Sequence, residues 1–321
     1  MKTFPRRIFV GLSALLLLTL GAHAQPPTPP PDGGFGGGAG PGGGGFGGRG
    51  GGFGGGRRGG FGGGYGGFGG NRAYTIRDPA ELQMVENMAK ALNPAFINDV
   101  FTFSRLKYNY ENMGRGRYWD DDSPDADLNL EFRLFQATSL KIHPGYNYID
   151  IDPKQLAKYP FVYMTVTAGM AWSDDDVKTL HDYLMNGGFM MAEDFWGDEM
   201  WDFAYSQFKR IFPDREPVEL PLSHPIFHTV FDFKYLPQMP SAGRGYTGVS
   251  YDYADYNTGD HFPHYYAFYD DHNHIVALIC RNNHYGDGWE HEGDDEEYFD
   301  RFSMPQAYPM FINILYYALT N

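Results

Sequence analysis

The stretch SDDDVKTLHDYLMNGGFMMAEDFWG, Ser173 to Gly197, places one helix and one strand back to back, and it decides the fold. Ser173 is set to cap a helix, Asp176 three residues on completes a capping box, and Asp174 and Asp175 favour the positive end of the dipole. Val177, Leu180 and Leu184 recur at helical spacing as an inward stripe, and Gly187-Gly188 end the helix after Asn186. FMMAEDF then reads as a strand, and a second helix is expected from about Gly197 to Phe212. Glu193 and Asp194 stand where the apolar run stops.

Working outward, the same alternation continues in both directions. A helix is expected over Ala80–Leu92, a first strand over Val100–Tyr108 and a helix from about Ala126 to Thr138. A short strand at Leu140–His143 and a short helix at Asp152–Pro160 precede FVYMTVTAG, Phe161–Gly169, a continuous β-rich run of the kind a parallel sheet buries on both faces. His274–Asn282 reads as a further buried strand, and Met304–Thr320 as a last helix, apolar nearly all round. Strands alternating with helices at this spacing predict an α/β fold with a doubly wound, mostly parallel sheet and helices on both faces. Residues 215–273, rich in Pro, Tyr, Gly and His, predict an irregular excursion with at most short strands.

The N-terminal part is of another kind. Arg6-Arg7, a leucine-rich run from Ile8 to Leu20 and Ala22-His23-Ala24 follow the order of a cleavable secretory signal, with the cut expected after Ala24. Periplasmic or extracellular placement follows, with no membrane span once the signal is cut. Residues 33–70 hold 27 glycines in 38 positions, so 25–72 is expected to be a disordered tether and 73–321 a single domain. Residues 1–72 carry net charge +6 against −15 for the whole chain, which leaves −21 on 73–321. So acidic a surface argues against nucleic acid and anionic membranes, and favours cations or neutral ligands. Cys280, the only cysteine, lies in IVALIC and reads as a buried, inert thiol.

In an open α/β sheet, ligands bind outside the carboxyl ends of the strands. Four segments fall there: the loop containing YWDDDSPDAD, TAGMAW, EDFWGD and RNNHYGDGWEHEGDDEE. The aspartate loop lacks the EF-hand pattern, so it reads as solvated and helix-capping, with Asp127 as a cap and a cation or ligand site as the alternative. Neighbours on a strand point to opposite faces, so Asp194 is favoured over Glu193 for the cleft, although Asp194 could instead cap the next helix. His284 is placed to approach Asp194 in space, as a catalytic pair if the chain is an enzyme. His224 and His228 have i, i+4 spacing, but Pro225 argues against a helical zinc site, so no metal ligand and no cofactor is assigned. Trp119, Asp122, Asp125, Thr167, Trp196, Asn282, Asp287 and Trp289 are the expected ligand-binding residues, with Trp119, Trp172, Trp196 and Trp289 as an aromatic rim.

FTFSRLKY, YWDDDSPDADLNLEFRLFQATSLKI, YLMNGGFMMAEDFWG, HPIFHTVFDF and RNNHYGDGWE resemble, in order and spacing, the family named domain of unknown function 4159, over about residues 98–321. The resemblance implies a flavodoxin-like sheet of the class I glutamine amidotransferase and trehalose-utilisation-like kind. This chain has no cysteine at the strand-to-helix turn those amidotransferases need, so their activity is not expected here. The expected function is a non-enzymatic ligand-binding or scaffold domain of the bacterial cell envelope, with an envelope protein or saccharide as partner. The alternative is a hydrolase of envelope glycan or peptide using Asp194 and His284.

Overall fold

The apolar runs on either side of Ser173–Gly197 become the central strands of a sheet. The computed structural model describes residues 79–92, 100–110, 118–165, 169–251 and 260–321, so the expected signal and tether, and Thr167, lie outside the described residues. The strands are β1 Arg105–Leu106, β2 Asn109–Tyr110, β3 Tyr148–Ile149, β4 Phe161–Met164, β5 Met170–Ala171, β6 Phe189–Glu193, β7 Val218–Glu219, β8 His264–Tyr269 and β9 Ile275–Arg281. Among the described residues, seven of them form one sheet in the order β3-β1-β4-β6-β9-β8-β7, and β2 pairs with β5 in a small antiparallel ribbon. The neighbours from β3 to β9 are parallel, whereas β8 and β7 add on antiparallel. This is a mostly parallel α/β fold whose chain reverses direction across the sheet between β1 and β4, the place where such sheets open a crevice.

The helices are α1 Pro79–Ala91, α2 Asp125–Ala137, α3 Pro153–Leu156, α4 Asp174–Met185, α5 Gly197–Ile211, α6 Ala242–Gly245, α7 Tyr285–Glu290, α8 Glu296–Tyr298 and α9 Tyr308–Thr320. Strand alternation sorts side chains into two cores. Phe161, Tyr163, Phe189, Met191, Leu278 and Cys280 face one way, against α2, α7 and α9. Val162, Met164, Met190, Ala192, Ala277 and Ile279 face the other, against α4 and α5. Each fully buried side chain of this size contributes about 1.5–3 kcal/mol, so the two layers together hold the sheet. The α4 boundaries match the sequence: Ser173 accepts from the Asp176 N–H, the Asp176 carboxylate accepts from Ser173, and Gly187 follows at φ 100°.

Four expectations are corrected. The 215–273 excursion contains β8, which pairs with β9 from His264↔Arg281 to Tyr269↔Ile275 and so belongs to the main sheet. The Val100–Tyr108 strand is broken into a bridge at Phe101↔Ile142 and the two-residue β1, and that bridge is all that forms of the strand expected at Leu140–His143. The last helix is α9 preceded by a π-helical stretch, Phe299–Ala307, with Pro305 inside it. Asp127 does not cap α2; it is fully buried in the first turn and ion-pairs with Arg105.

Candidate functional site

The carboxyl edge of the sheet is shaped by residues whose backbone leaves the strand sharply. Asp194 follows β6 at φ 62°, and Asn282 follows β9 at φ 56°. The Asp194 N–H donates to the Asn283 carbonyl (3.0 Å) and the Asn282 N–H to the Phe195 carbonyl (2.9 Å), so the two strand ends stay stitched together through the bend. Left-handed backbone at a side-chain-bearing residue is strained, and Asn and Asp tolerate it best. The bend breaks strand alternation. Glu193 and Asp194 therefore both come under the charge of His284, where alternation had sent them to opposite faces.

His284, which opens α7, is the centre of the site. Its Nε2 lies 3.1 Å from Asp122 Oδ2 and 3.7 Å from Asp194 Oδ2, and its Nδ1 lies 3.6 Å from Asp287 Oδ2. Only 9% of the His284 side chain, 5% of Asp122 and 15% of Asp194 is exposed. Glu193 is tied down one layer deeper. It accepts from the Tyr163 hydroxyl and from the Tyr285 N–H (2.6 Å). Asp122 reaches His284 because residue 286 is glycine: a Cβ there would lie 1.9 Å from Asp122 Oδ2. Asp287 also accepts from the Ala242 N–H at 2.6 Å.

Arg105 holds the aspartate loop in place. Its guanidinium, fully buried in β1, pairs with Asp127 (2.5 Å) and donates to the carbonyls of Trp119 (3.3 Å) and Asp121 (2.8 Å). Burial works against its charge, but Asp127 and neighbouring groups outweigh it and keep Arg105 protonated.

The electrostatics follow from carboxylates crowded round one imidazole. Burial opposes the charge on His284, yet Asp194, Asp287 and Asp122 overcome it and raise the imidazole well above its ordinary value. Burial raises the Asp194 carboxyl well above the usual carboxylate range, with His284 opposing and Glu193 adding to the rise. Asp121 is open to solvent over part of its surface, but its carboxyl leans against the cluster. Desolvation there, then the charge of Asp122, push it up to about 7. Asp121, Glu193 and Asp194 are all shifted upward, and their protonations are linked through the short distances between them. Beside them, His291 is pushed up to about 9: burial opposes the rise, and the Glu290 hydrogen bond and Asp287 drive it.

Among the described residues, two groups have ligand atoms close enough to hold a cation, each set within 4.8 Å: Asp121, Asp122 and His284, and Asp287, Glu290 and His291. Mixed imidazole and carboxylate donors suit a first-row divalent ion.

The structure thus brings together Asp122, Asp194, His284 and Asp287 from the expected set. Asp125 sits in the first turn of α2. Asn282 acts on the fold rather than as a free ligand group. Its Oδ1 accepts from the Gly197 N–H (2.9 Å), capping α5 in the place considered for Asp194, and its Nδ2 donates to Phe262 (2.7 Å). The aromatic rim does not form. Trp172 and Trp196 are buried, and Trp289 is wholly enclosed among Phe103, Tyr163 and Phe311, which leaves Trp119 as the partly exposed one of the four. Two features of this region carry no sequence signal. Asp121 was hidden in a run of three aspartates, and Tyr146 and Tyr148 in a tyrosine-rich loop with no motif. Cys280 is fully buried and its thiol raised well above its ordinary value, by burial first, so it is no nucleophile.

Residues 102–319 match the family described as Domain of unknown function (DUF4159), and the chain belongs to that family. No curated protein matches it.

Proposed function

We propose that this member of the DUF4159 family is an exported hydrolase of cell-envelope glycan or peptide, with Asp121, Asp194 and His284 as its working groups. One observation carries the proposal: carboxylates from three separate segments converge on a single buried imidazole at the carboxyl edge of the sheet. Held protonated by its neighbours, His284 serves as a fixed cation that orients Asp122 and Asp194 rather than as the base. Asp194 Oδ2 lies 3.7 Å from His284 Nε2, its carboxylate accepts no hydrogen bond among the described residues, and its raised basicity suits a general base. Asp121, at about 7 and facing solvent, suits the acid that protonates the leaving group. The signal-like N-terminus and the acidic domain support export and a neutral or cationic substrate.

A second reading, a non-enzymatic ligand-binding or scaffold domain of the envelope, is favoured by the deep burial of Asp122 and His284, which a purely structural network would share. Incubation of the purified full chain with isolated cell-wall material separates the two, with and without added magnesium, manganese or zinc. The hydrolase reading expects release of soluble fragments, lowered about 10²–10⁴-fold in Asp194→Asn and Asp121→Asn. No release under any of these conditions, or equal release by the variants, transfers the case to the scaffold reading.

A further inference from the structure

An aromatic platform that the proposed hydrolysis leaves unexplained is linked to the carboxylate cluster through Ser123, the neighbour of Asp122. The rings of Tyr146 and Tyr148 stack at 5.0 Å and 24°, and Trp119 meets Tyr148 edge-on at 5.2 Å and 70°. Tyr146 is 56% exposed, while Tyr148, on which it stacks, is half-buried. An exposed tyrosine resting on a second ring is rigid, and its surface is flat and apolar with a polar rim.

The platform is built into the same unit as the acid pair. The Tyr148 hydroxyl bonds to Ser123 Oγ, and Ser123 follows Asp122, whose carboxylate holds His284. Trp119 is fixed through its carbonyl by the same buried Arg105 guanidinium that fixes the carbonyl of Asp121. Arg105 therefore fixes the backbone course that carries both Trp119 and Asp121.

We propose that the Tyr146–Tyr148 platform is a sugar-binding subsite, on which a neutral pyranose ring stacks so that its glycosidic bond lies against the Asp121–Asp194 cluster. The inference rests on the hydrolase reading and names its substrate class as glycan. Three observations favour sugar over peptide. A pyranose has a flat C–H face that matches an exposed aromatic ring. A neutral polyol tolerates a domain of charge −21, whereas an acidic polymer is repelled. The convergent groups are carboxylates, the pair that glycoside hydrolysis uses, and the one thiol is buried in the sheet. The step balances without a further reagent. Asp121 gives its proton to the glycosidic oxygen as the bond from the anomeric carbon breaks. Water then forms the new bond to that carbon and yields a proton to Asp194. The products are two hydroxyl-bearing fragments, and solvent exchange restores both carboxyls.

The test is titration of the purified full chain with three neutral hexasaccharides: β-1,4-linked N-acetylglucosamine, β-1,4-linked glucose and α-1,4-linked glucose. Binding is followed by calorimetry and tryptophan fluorescence. At least one is expected to bind, with affinity reduced tenfold or more in Tyr146→Ala, kept in Tyr146→Phe, and kept in Asp121→Asn, which loses only cleavage. Tyr146 is surface-exposed, so its variants are expected to melt with the parent, which unfolding curves verify. Failure of all three sugars to bind, or equal binding by parent and Tyr146→Ala, overturns the subsite. Sugar binding through Tyr146 without cleavage overturns the hydrolase reading alone and leaves the subsite standing. Cleavage of peptide without sugar binding does the reverse.

Discussion

Gly286 shows how closely the site is fitted at the scale of single residues. Its missing side chain is the space that Asp122 fills, with 1.9 Å from a virtual Cβ to Oδ2. Gly286→Ala must expel the Asp122 carboxylate from His284 or shift α7, and is expected to cost about 1–3 kcal/mol, the range for overpacking. Urea unfolding measures this. Gly243→Ala is the control, because a Cβ there meets nothing within 4 Å; equal midpoints for the two variants would sink the argument. Asp121 gives a second prediction. On the proposed hydrolase reading, its acid form at about 7 implies that hydrolysis falls as pH rises through that value, and that Asp121→Asn loses this limb of the profile. Legibility at this scale was uneven. Asp194, His284, Asp122 and Asp287 could be named from position at a strand end and from residue type. Asp121 and Glu193 could not. Their placement depends on a left-handed turn at Asp194 and on the course that Arg105, bonded to the Asp121 backbone carbonyl, gives the aspartate loop.

Individual elements were legible where local chemistry and tertiary packing agree. In α4 the cap, stripe and glycine stop coincide, and its ends fall where the sequence put them. β8 was missed because HYYAFY has no aliphatic run, and its strand character comes from pairing with β9 across a tight turn closed by Asp270 and Asn273. The tryptophan rim was misplaced for a related reason. Proximity in sequence to a carboxyl-end loop says nothing about the layer a side chain enters, and Trp289 enters the core. The start of α5 is a further case, since its cap comes from Asn282, 85 residues away. Asn282→Ala removes that cap and places a Cβ-bearing residue with no local hydrogen bonds at φ 56°. A loss of about 2 kcal/mol is expected, whereas Asn282→Gly, free of the backbone strain, should lose about 1 kcal/mol. Chemical unfolding ranks the two; Gly as costly as Ala would show that the backbone strain is not what separates them.

Charge decides the behaviour of the whole molecule. The domain carries −21, and His284, Asp121 and Asp194 are all shifted toward keeping their protons to higher pH than in the unfolded chain. The sign of the pH dependence follows. His284 is raised in the fold, so its contribution is complete below its unfolded value of 6.5 and is lost as pH rises through its folded value. Asp121 and Asp194 are raised carboxyls, so the folded chain binds protons that the unfolded chain has released above 3.8, and stability falls as pH rises through their folded values, about 7 for Asp121. All three slopes have one direction, and general repulsion among the surface carboxylates adds to them. On the acid side the limit comes from Asp150 and Asp270, whose carboxyls are lowered: by a Lys107 hydrogen bond for Asp150, and for Asp270 by bonds from the His274 N–H and side chain that overcome its burial. Their contribution disappears as pH falls through those lowered values. The thermal midpoint should therefore be highest near pH 4, between the lowered and the raised carboxyls, and drop steadily toward pH 9, with Asp121→Asn flattening the part between about 4 and 7. Half-molar sodium chloride should recover the share due to surface repulsion and leave the share due to the buried cluster, since screening does not reach enclosed charges. Calorimetric scans across that range decide it, and a midpoint that rises from pH 6 to 9 would contradict the protonated cluster on which both the acid role of Asp121 and the fixed charge of His284 depend.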